Sequence, residues 1–281
     1  MEPSFQAPPS VTTKVVTEGG VEHAQSDVDQ PLLSLRGISK NFGAVEALRQ
    51  VDLDIRVGQV TALIGDNGAG KSTLIKTIAG IWSPSEGQIF WNGEPVTIKT
   101  PREADALGIA TVYQDLALCD NLDIVANMFL GHEAMRYRLL DENAMEAAAK
   151  TTLGGLAVTT VSSVRNLVES LSGGQRQSVA VARAVMRDAK LVILDEPTAA
   201  LGVSQTAQVL ALIRRLADRG IAVLVISHNL NDVFSVADRL AVMHLGRMVH
   251  RGPISEYTPQ SAVEIITTGT FVGANSTSMR N

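Results

Sequence analysis

A glycine-rich stretch that runs into a lysine and two hydroxyl residues is the part of the sequence best suited to do chemistry. It reads Gly65-Asp66-Asn67-Gly68-Ala69-Gly70-Lys71-Ser72-Thr73. Its glycine, lysine and serine spacing is that of a phosphate-binding loop. Glycines let the backbone wrap a polyphosphate without Cβ clashes, so that N–H groups face the anion. The stretch predicts nucleotide binding, with Lys71 at the β- and γ-phosphates and Ser72 as a Mg²⁺ ligand.

The stretches on either side predict how this loop is held. Val60–Ile64 is a mostly apolar run typical of a buried strand, and Leu74–Ala79 has the apolar spacing of a helix. Strand, glycine loop and helix in this order direct the loop and the helix N-terminus at one anion. This context favours a nucleotide site over a simple glycine turn.

A second glycine-containing stretch is also suited to an anion. Leu171-Ser172-Gly173-Gly174-Gln175 precedes a predicted helix over Arg176–Arg187. A hydroxyl group and glycines at a helix N-terminus attract phosphate by the same physics. A Ser-Gly-Gly sequence alone is more often a turn, so this prediction depends on the rest of the pattern.

Two carboxylates follow the apolar strand candidate Leu191–Leu194. Next to a phosphate loop, a carboxylate at the end of a buried strand is the expected Mg²⁺ ligand, which assigns Asp195 to the metal. Glu196 follows directly, and a second carboxylate at this place can polarise an attacking water as a general base.

Two further strand candidates end in polar residues. Gln114 follows Gly108–Tyr113, and His228 follows shortly after Ile221–Ile226. Because α/β sheets bind ligands at the carboxyl ends of their strands, both side chains are candidates for the site. His228 is predicted to contact the γ-phosphate and orient the water. Taken singly, either residue is more often structural.

One aromatic residue is a candidate for the base of the nucleotide. Phe42 lies in the segment Lys40-Asn41-Phe42-Gly43, between the first strand candidates. A flat aromatic face is a natural partner for an adenine ring, although a single phenylalanine is more often part of a core.

Composition limits the classes of function. The chain has 281 residues, 45% hydrophobic residues and a net charge of −5, which fits a globular protein without nucleic acid as its main partner. Its one cysteine, Cys119, excludes an internal disulfide. No apolar run is long enough to span a membrane, and no secretory signal is visible, so any membrane role is expected to act through a partner.

The order of elements predicts an α/β domain between two tails. Residues 1–30 and 269–281 are polar and lack periodicity, which predicts disordered tails around a domain over 31–268. A helical subdomain is expected over about 116–170. The other predicted elements are strands at Leu33–Gly37 and Val51–Val57, hairpins at Gly87–Trp91 with Val96–Ile98 and Arg239–Leu245 with Met248–His250, and helices at Pro101–Leu107, Ile124–Leu130, Asp141–Leu153 (stopped by Gly154-Gly155) and Val203–Arg219.

The motifs together resemble the ATPase subunit of an ABC transporter, over residues 32 to 252. The resemblance rests on the phosphate loop, Gln114, the signature Leu171–Gln175, the strand ending in Asp195-Glu196, and His228, in that order. It implies a P-loop NTPase cassette fold with a RecA-like core, an antiparallel β subdomain and an inserted α-helical subdomain. It also implies ATP and Mg²⁺.

The resemblance gives the residues their roles. Phe42 becomes the adenine-stacking aromatic, and Gln114 belongs to the lid that senses Mg²⁺ and reports to the membrane subunit. Two cassettes pack head to tail, with ATP between the phosphate loop of one and the signature of the other. Glu196 activates the water, His228 holds the γ-phosphate and Glu196 together, and Lys71 with Mg²⁺ offsets the developing charge.

Within the family, three stretches resemble the bacterial importers of simple sugars. They are Ala106–Asp115, Asn127–Gly131 and Ile226–Asn229. Two departures stand out. Such ATPases commonly carry two cassettes in one chain, whereas one is visible here, and the family usually has Asp where this chain has Gly202. The Asp helps the two cassettes communicate, so its absence bears on coupling, while hydrolysis is still expected.

The resemblance also implies partners and a place in the cell. We expect transmembrane permease subunits, a second cassette of the same or a paralogous chain, and a solute-binding protein in the same system. The expected location is peripheral, on the cytoplasmic face of the cell membrane. Three alternatives are a soluble ABC-type ATPase without a permease, a nucleotide-binding module that does not hydrolyse ATP, and a P-loop GTPase, which lacks its guanine-reading motif here.

Overall fold

The computed structural model describes residues 30–158 and 160–270. The predicted tails 1–30 and 269–281 lie almost wholly outside these residues. Twelve strands are described: β1 (Leu33–Phe42), β2 (Val45–Ile55), β3 (Val60–Gly65), β4 (Glu86–Trp91), β5 (Glu94–Val96), β6 (Ile109–Val112), β7 (Met135–Arg136), β8 (Leu139–Leu140), β9 (Leu191–Asp195), β10 (Ala222–Ile226), β11 (Arg239–His244) and β12 (Arg247–Pro253).

Eight α-helices alternate with these strands. They are α1 (Lys71–Ile78), α2 (Pro101–Leu107), α3 (Ile124–Phe129), α4 (Glu142–Gly155), α5 (Gly173–Val185), α6 (Val203–Asp218), α7 (Leu230–Val236) and α8 (Pro259–Thr268). Two 3₁₀ turns, Val168–Ser170 and Ile254–Glu256, complete the description.

Two sheets organise the fold. The larger has six strands in the order β12-β11-β3-β10-β9-β6, with β6, β9, β10, β3 and β11 parallel and β12 antiparallel at the edge. The smaller is antiparallel, in the order β2-β1-β4-β5. Parallel strands covered on both faces read as continuous apolar runs, which is why β3, β9 and β10 were visible in the sequence.

The central sheet lies between two apolar layers. On β3, Val60, Ala62 and Ile64 pack into the cluster that includes the buried faces of α5 and α6. Leu63 points to the other side, where it packs with the antiparallel sheet and α1. This alternation follows from the two-residue period of a strand. It fixes the strand ends, and therefore the site residues that follow them, at one edge of a rigid sheet.

Between β6 and α5 the chain forms α3, α4 and the β7–β8 hairpin, which is the segment predicted as a helical insertion. Its helices begin at side-chain caps: Asp123 accepts from the N–H of Ala126, and Asp141 from the N–H of Ala144. The boundaries 31–268 and 116–170 stay predictions, because the positions of the elements do not by themselves define a domain.

The structure bears out the α/β cassette fold and several individual elements. The helix at Pro101–Leu107 has the predicted bounds: Thr100 caps it, Pro101 starts it, and Gly108 ends it with a left-handed φ of 87°. The predicted strands and hairpins are also present, but their ends differ, and β2 begins at Val45 instead of the predicted Val51.

Three further boundaries were predicted wrongly. Helix α4 does not stop at Gly154-Gly155 but runs through Gly155, because the buried side chains of Leu153 and Leu156 hold its last turn in the core. The strand predicted at Leu33–Gly37 continues to Phe42, since β1 pairs with both β2 and β4. The third, the start of α5, concerns the site and is described below.

Candidate functional site

The phosphate loop has backbone geometry that requires glycine. Gly65 has a φ of 151°, and a Cβ there would overlap the carbonyl oxygen of Met243. Gly70 has a φ of 99° and directly precedes α1, and its Cβ would lie 2.8 Å from the carbonyl oxygen of Ala47. The loop is therefore wrapped tightly against β2 and β11. Its N–H groups and the start of α1 form a cradle that suits a phosphate chain.

Lys71 is the cation of this cradle. Its Nζ atom donates to the carbonyl oxygens of Gly65, at 2.6 Å, and Asp66, at 3.0 Å. Burial lowers the pKa of Lys71, and the carboxylates of Glu196, Asp66 and Asp195 oppose that shift. A partly desolvated ammonium group with only carbonyl partners is well placed to exchange them for a polyphosphate.

Asp195 ends β9 at the same edge of the sheet. Ile226 on β10 is its register partner, and the loop-bearing strand β3 lies on the other side of β10. Burial raises the pKa of the Asp195 carboxyl and Glu196 adds to that shift, whereas Lys71 and Lys76 lower it. This strand end therefore holds an ionisable group that gains from a nearby cation.

Glu196 follows in a conformation that is uncommon for a side-chain-bearing residue. Its φ is 50°, and its N–H donates to the carbonyl oxygen of Ile226 at 2.9 Å. Such left-handed geometry in a non-glycine residue persists only where the surroundings impose it, and it is concentrated at functional sites.

His228 and Glu196 are brought together by the structure. The Nδ1 atom of His228 lies 2.8 Å from Oε2 of Glu196. The histidine side chain is 75% exposed, and the glutamate side chain is 16% exposed. Glu196 is thus held at the sheet edge while the imidazole extends into solvent. This is the geometry of a base and its orienting partner.

The signature stretch is a capped helix start, which corrects the predicted boundary. Helix α5 begins at Gly173 and not at Arg176, because Ser172 is its N-cap. The N–H of Gln175 donates to the Ser172 Oγ at 3.4 Å, and the N–H of Ser172 donates to Gln175 Oε1 at 2.8 Å. This reciprocal capping box lets the helix start on two glycines of low helix propensity.

The two glycines lie against the start of α6. A Cβ on Gly173 would be 2.8 Å from Cδ2 of Leu201, and one on Gly174 would be 3.0 Å from Cβ of Gln205. Sequence reasoning assigned these glycines to the anion alone and missed Leu201 and Gln205. The structure gives the glycines a packing role as well, which ties the signature helix to the segment that follows Glu196.

Phe42 is half-exposed and has partners that the sequence analysis did not name. Its ring meets Trp82 edge to face, with centroids 5.4 Å apart. The Nζ atom of Lys40 lies 5.3 Å from the Phe42 centroid and donates to the carbonyl oxygen of Ser83 at 2.8 Å. The aromatic residue Trp82, just after α1, is the feature of the sequence from which this cluster could have been predicted.

Gln114 and Ser72 lie at the positions that the sequence predicted for them. Gln114 is exposed just after β6, and Ser72 is exposed in the first turn of α1. Among the described residues, no hydrogen bond or ion pair joins the signature stretch Ser172–Gln175 to the phosphate loop. The two anion-seeking elements of one chain therefore do not close on each other.

Ser72 and Asp195 fit a Mg²⁺ ion in the manner expected for a nucleotide site. The residues that the structure describes contain no group of three or more histidine, cysteine or carboxylate side chains able to hold a metal alone. Mg²⁺ in such sites takes one or two protein oxygens and completes its shell with water and phosphate oxygens. A hydroxyl and one strand-end carboxylate are therefore a suitable donor set.

The comparisons with known proteins agree with this geometry. The ABC transporter family model matches residues 48–199. The fructose import ATP-binding protein of Rhizobium meliloti is 46% identical over 85% of this chain and 94% of that protein. The xylose/arabinose import ATP-binding protein of Sulfolobus acidocaldarius is 44% identical over 84% and 94%. A ribose import ATP-binding protein of Rubrobacter xylanophilus is 40% identical, but the chain covers only 46% of its length.

Solved structures show the same fold. A nucleotide-free ATP-binding cassette from an ABC transporter superposes with a TM-score of 0.71 at 29% identity, over 79% of this chain and 91% of the other. Another transporter cassette, in its ADP conformation, gives a TM-score of 0.72 at 27% identity, over 85% and 95%.

The fold and the site are those of a phosphate-loop ATPase. The match to the family model and the identities to its members go further: the chain belongs to the ABC transporter family, as an ATP-binding subunit that hydrolyses ATP. The described residues contain no helix that is both long and apolar enough to cross a membrane.

Proposed function

We propose that this chain powers the import of a simple sugar through a membrane permease, by binding ATP with Mg²⁺ and hydrolysing it in a head-to-tail pair of cassettes. The observation that carries the proposal is the Glu196–His228 pair beside the Lys71 loop. The assignment to sugars rests on the relatives named above, which import fructose, xylose or arabinose, and ribose.

The residues divide the work by position. The loop Gly65–Thr73 binds the phosphates, Phe42 stacks on the adenine, and Ser72 with Asp195 holds Mg²⁺, assisted by Gln114. Mg²⁺, when bound, offsets the charge on the β- and γ-phosphates. Glu196 accepts a proton from the attacking water, and His228 keeps the carboxylate aimed at it.

Two cassettes are needed because each nucleotide uses one element from each chain. Ser172, Gly173, Gly174 and Gln175 of a second cassette would close the site that Lys71 opens. The separation of these elements within one chain supports this arrangement. The second cassette is a copy of this chain or a paralogue.

The permease would dock in a groove beside the helical segment. A cavity of about 650 Å³ lies between α2, β6 and α5 on one side and residues near Leu116 and Gly131 on the other. Gln114 lies between the lining residues Tyr113 and Asp115 and would also belong to the nucleotide site. A segment bound there would sense the nucleotide through Gln114. The chain would then lie on the cytoplasmic face of the membrane, with a solute-binding protein completing the system.

The experiment is to purify the tagged chain from detergent-solubilised membranes and identify what accompanies it. We expect a polytopic protein to co-purify and ATPase activity to rise when fructose, xylose or ribose is supplied with its binding protein in reconstituted vesicles. Recovery of the chain without any membrane partner would contradict the transport role and favour the soluble ABC-type ATPase.

A further inference from the structure

The groove beside the helical segment carries a pair of arginines that the nucleotide site does not use. Helix α5 forms its floor with Ala180, Arg183 and Ala184, and Arg187 lines the groove from the turn that follows the helix. Residues spaced by three and four lie on one face of a helix, so Ala180, Arg183 and Ala184 form a single strip on α5. Arg187 lies beyond the end of this strip and lines the same groove. The alanines leave room above the helix, and the arginines point charge into it.

The two guanidinium groups are poorly partnered. Nη1 of Arg183 donates to the carbonyl oxygen of Ala117 at 3.1 Å. Nη1 of Arg187 lies 3.9 Å from Oδ1 of Asp105, beyond hydrogen-bonding distance, and its Nε is buried with no hydrogen-bond partner. A guanidinium has five N–H donors, and a buried donor without an acceptor costs free energy.

The arginines also repel one another. Burial lowers the pKa of Arg183, and the neighbouring Arg187 lowers it further. Arg102 adds a third cation to the groove lining, against the two carboxylates of Asp105 and Asp115. A groove with more arginines than acids, on a chain whose net charge is −5, is suited to an anion.

The rest of the lining decides what kind of anion fits. Apart from these charged residues, His132 and a few other polar groups, the groove is lined mainly by small or apolar side chains, among them Ala104, Ile109, Val112 and Leu116. A free phosphate would leave these surfaces without partners. A peptide segment that carries aliphatic side chains and one acid would cover both.

We propose that Arg183 and Arg187 form a carboxylate receptor that holds an acidic residue of the permease segment docked in this groove. The inference rests on the proposed function and names the chemistry of its partner. An arginine fork binds a carboxylate through two parallel hydrogen bonds, which the two Nη groups of Arg187 can supply because its nearest carboxylate, Asp105, lies 3.9 Å away. The carboxylate offsets the repulsion between the two cations.

The test uses the complex recovered from membranes. Arg187→Gln and Arg183→Gln remove one charge each, and Arg187→Lys keeps the charge but loses the fork. The control is Arg247→Gln, an exposed arginine on β12, at the opposite edge of the six-stranded sheet from β6. Retention of the polytopic partner is measured against salt concentration, together with the ATP affinity and thermal midpoint of each isolated chain.

We expect Arg187→Gln to weaken retention of the partner by about tenfold or more, Arg187→Lys to weaken it less, and Arg247→Gln to leave it unchanged. ATP affinity of the isolated chains stays as in the wild type. Salt weakens the wild-type complex more steeply than the Arg187→Gln complex. Each Asp and Glu in the cytoplasmic loops of the partner is replaced in turn by Asn or Gln. At one position we expect the amide to weaken binding to the wild-type chain but to weaken binding to Arg187→Gln no further.

Two results would overturn the inference while the proposed function stands. The first is equal retention of the partner by wild type, Arg183→Gln and Arg187→Gln. The second is that every Asp→Asn and Glu→Gln variant of the partner binds this chain as tightly as the unaltered partner does. If the wild-type chain recovers no membrane partner, the proposed function fails and this inference fails with it. A variant that does not fold is replaced by Arg187→Lys and by the salt titration of the wild type, which test the same contact.

Discussion

The Nδ1 atom of His228 lies 2.8 Å from Oε2 of Glu196, so residues that follow two neighbouring strands meet as one unit. Glu196 takes a φ of 50° and anchors its N–H on Ile226, the last residue of β10. The same strand carries His228 just beyond its end. The sheet register therefore sets both the position of the proposed base and the position of its partner.

This contact predicts strong coupling between the two side chains. His228→Ala should lower kcat about 100-fold, because the carboxylate loses the group that aims it at water. The double variant Glu196→Gln/His228→Ala should be no slower than Glu196→Gln alone, since residues that act as a unit are not additive. Steady-state ATPase assays of the wild type, the two single variants and the double variant measure this coupling. His250→Ala on β12 is the control, and a double variant whose losses multiply would contradict the coupling.

Asp195 is predicted to cost stability until the metal and nucleotide bind. Its raised pKa means that the fold favours the neutral carboxyl, so its contribution to stability falls as pH rises from the ordinary range of an aspartate through the raised value. Asp195→Asn should therefore raise the thermal midpoint of the nucleotide-free chain by about 2 °C or more at neutral pH. Differential scanning calorimetry at several pH values measures this.

With Mg²⁺ and ATP present, the wild type should have a higher thermal midpoint than Asp195→Asn. The wild type gains about 2.7 kcal/mol at a ligand concentration of a hundred times Kd, whereas Asp195→Asn gains much less. Asp188→Asn is a suitable control, because this residue is exposed and its φ of 54° is one that asparagine tolerates. Equal stabilisation of both chains by the nucleotide would remove Asp195 from the metal site.

The glycines of the signature stretch are predicted to be limited by packing as well as by the anion. Gly174→Ala should destabilise the chain by about 1–3 kcal/mol, because the new methyl group meets Cβ of Gln205 at the start of α6. The new methyl group of Gly173→Ala is crowded by the flexible end of Leu201, so Gly173→Ala/Leu201→Ala should recover stability. The free energy of unfolding in urea is measured for Gly174→Ala, Gly173→Ala and the double variant. A Gly174→Ala chain as stable as the wild type would show that this packing is loose.

Gly202 leaves the start of α6 without a side-chain cap. Its φ of −73° and ψ of 161° suit any capping residue, and a Cβ there meets nothing within 4 Å. Gly202→Asp should stabilise the chain by about 0.5–1 kcal/mol through the cap and the helix dipole, whereas Gly202→Ala should not. Urea unfolding measures the stability. In the assembled pair, the Hill coefficient for ATP tests whether this Asp also restores communication between sites, and no change would confine its effect to the helix.

Much of the fold followed from local patterns. The buried parallel strands β3, β9 and β10 are apolar runs that end in functional side chains, and Thr100, Pro101 and Gly108 mark both ends of α2. These features are set by neighbours in the chain, and so they are visible before any tertiary contact is known.

Other features depend on distant contacts or on weak signals. Helix α4 passes through Gly155 because Leu156 is buried, and α5 starts on glycines because Ser172 and Gln175 cap each other. The short elements α7, β7 and β8 lack enough residues to show a period. Helix α8 did carry a signal, in the capping box of Thr258, but sequence analysis passed over it.

In the site, the sequence predicted residue types and strand ends, but not distances. Glu196 and His228 were assigned separate roles that the family resemblance joined, and the 2.8 Å contact now gives that link a geometry. The packing of Leu201 and Gln205 on the signature glycines could not be predicted, because it depends on how α5 and α6 cross.

The central claim is that Glu196 turns ATP binding by a pair of cassettes into hydrolysis. The most direct measurement compares wild type and Glu196→Gln for ATP affinity, turnover and molecular mass in the presence of Mg²⁺ and ATP. We predict unchanged ATP affinity, a turnover at least about 100-fold lower, and a stable dimer in the variant where the wild type dimerises only transiently. Equal turnover in the two proteins, with no dimer in either, would contradict the account.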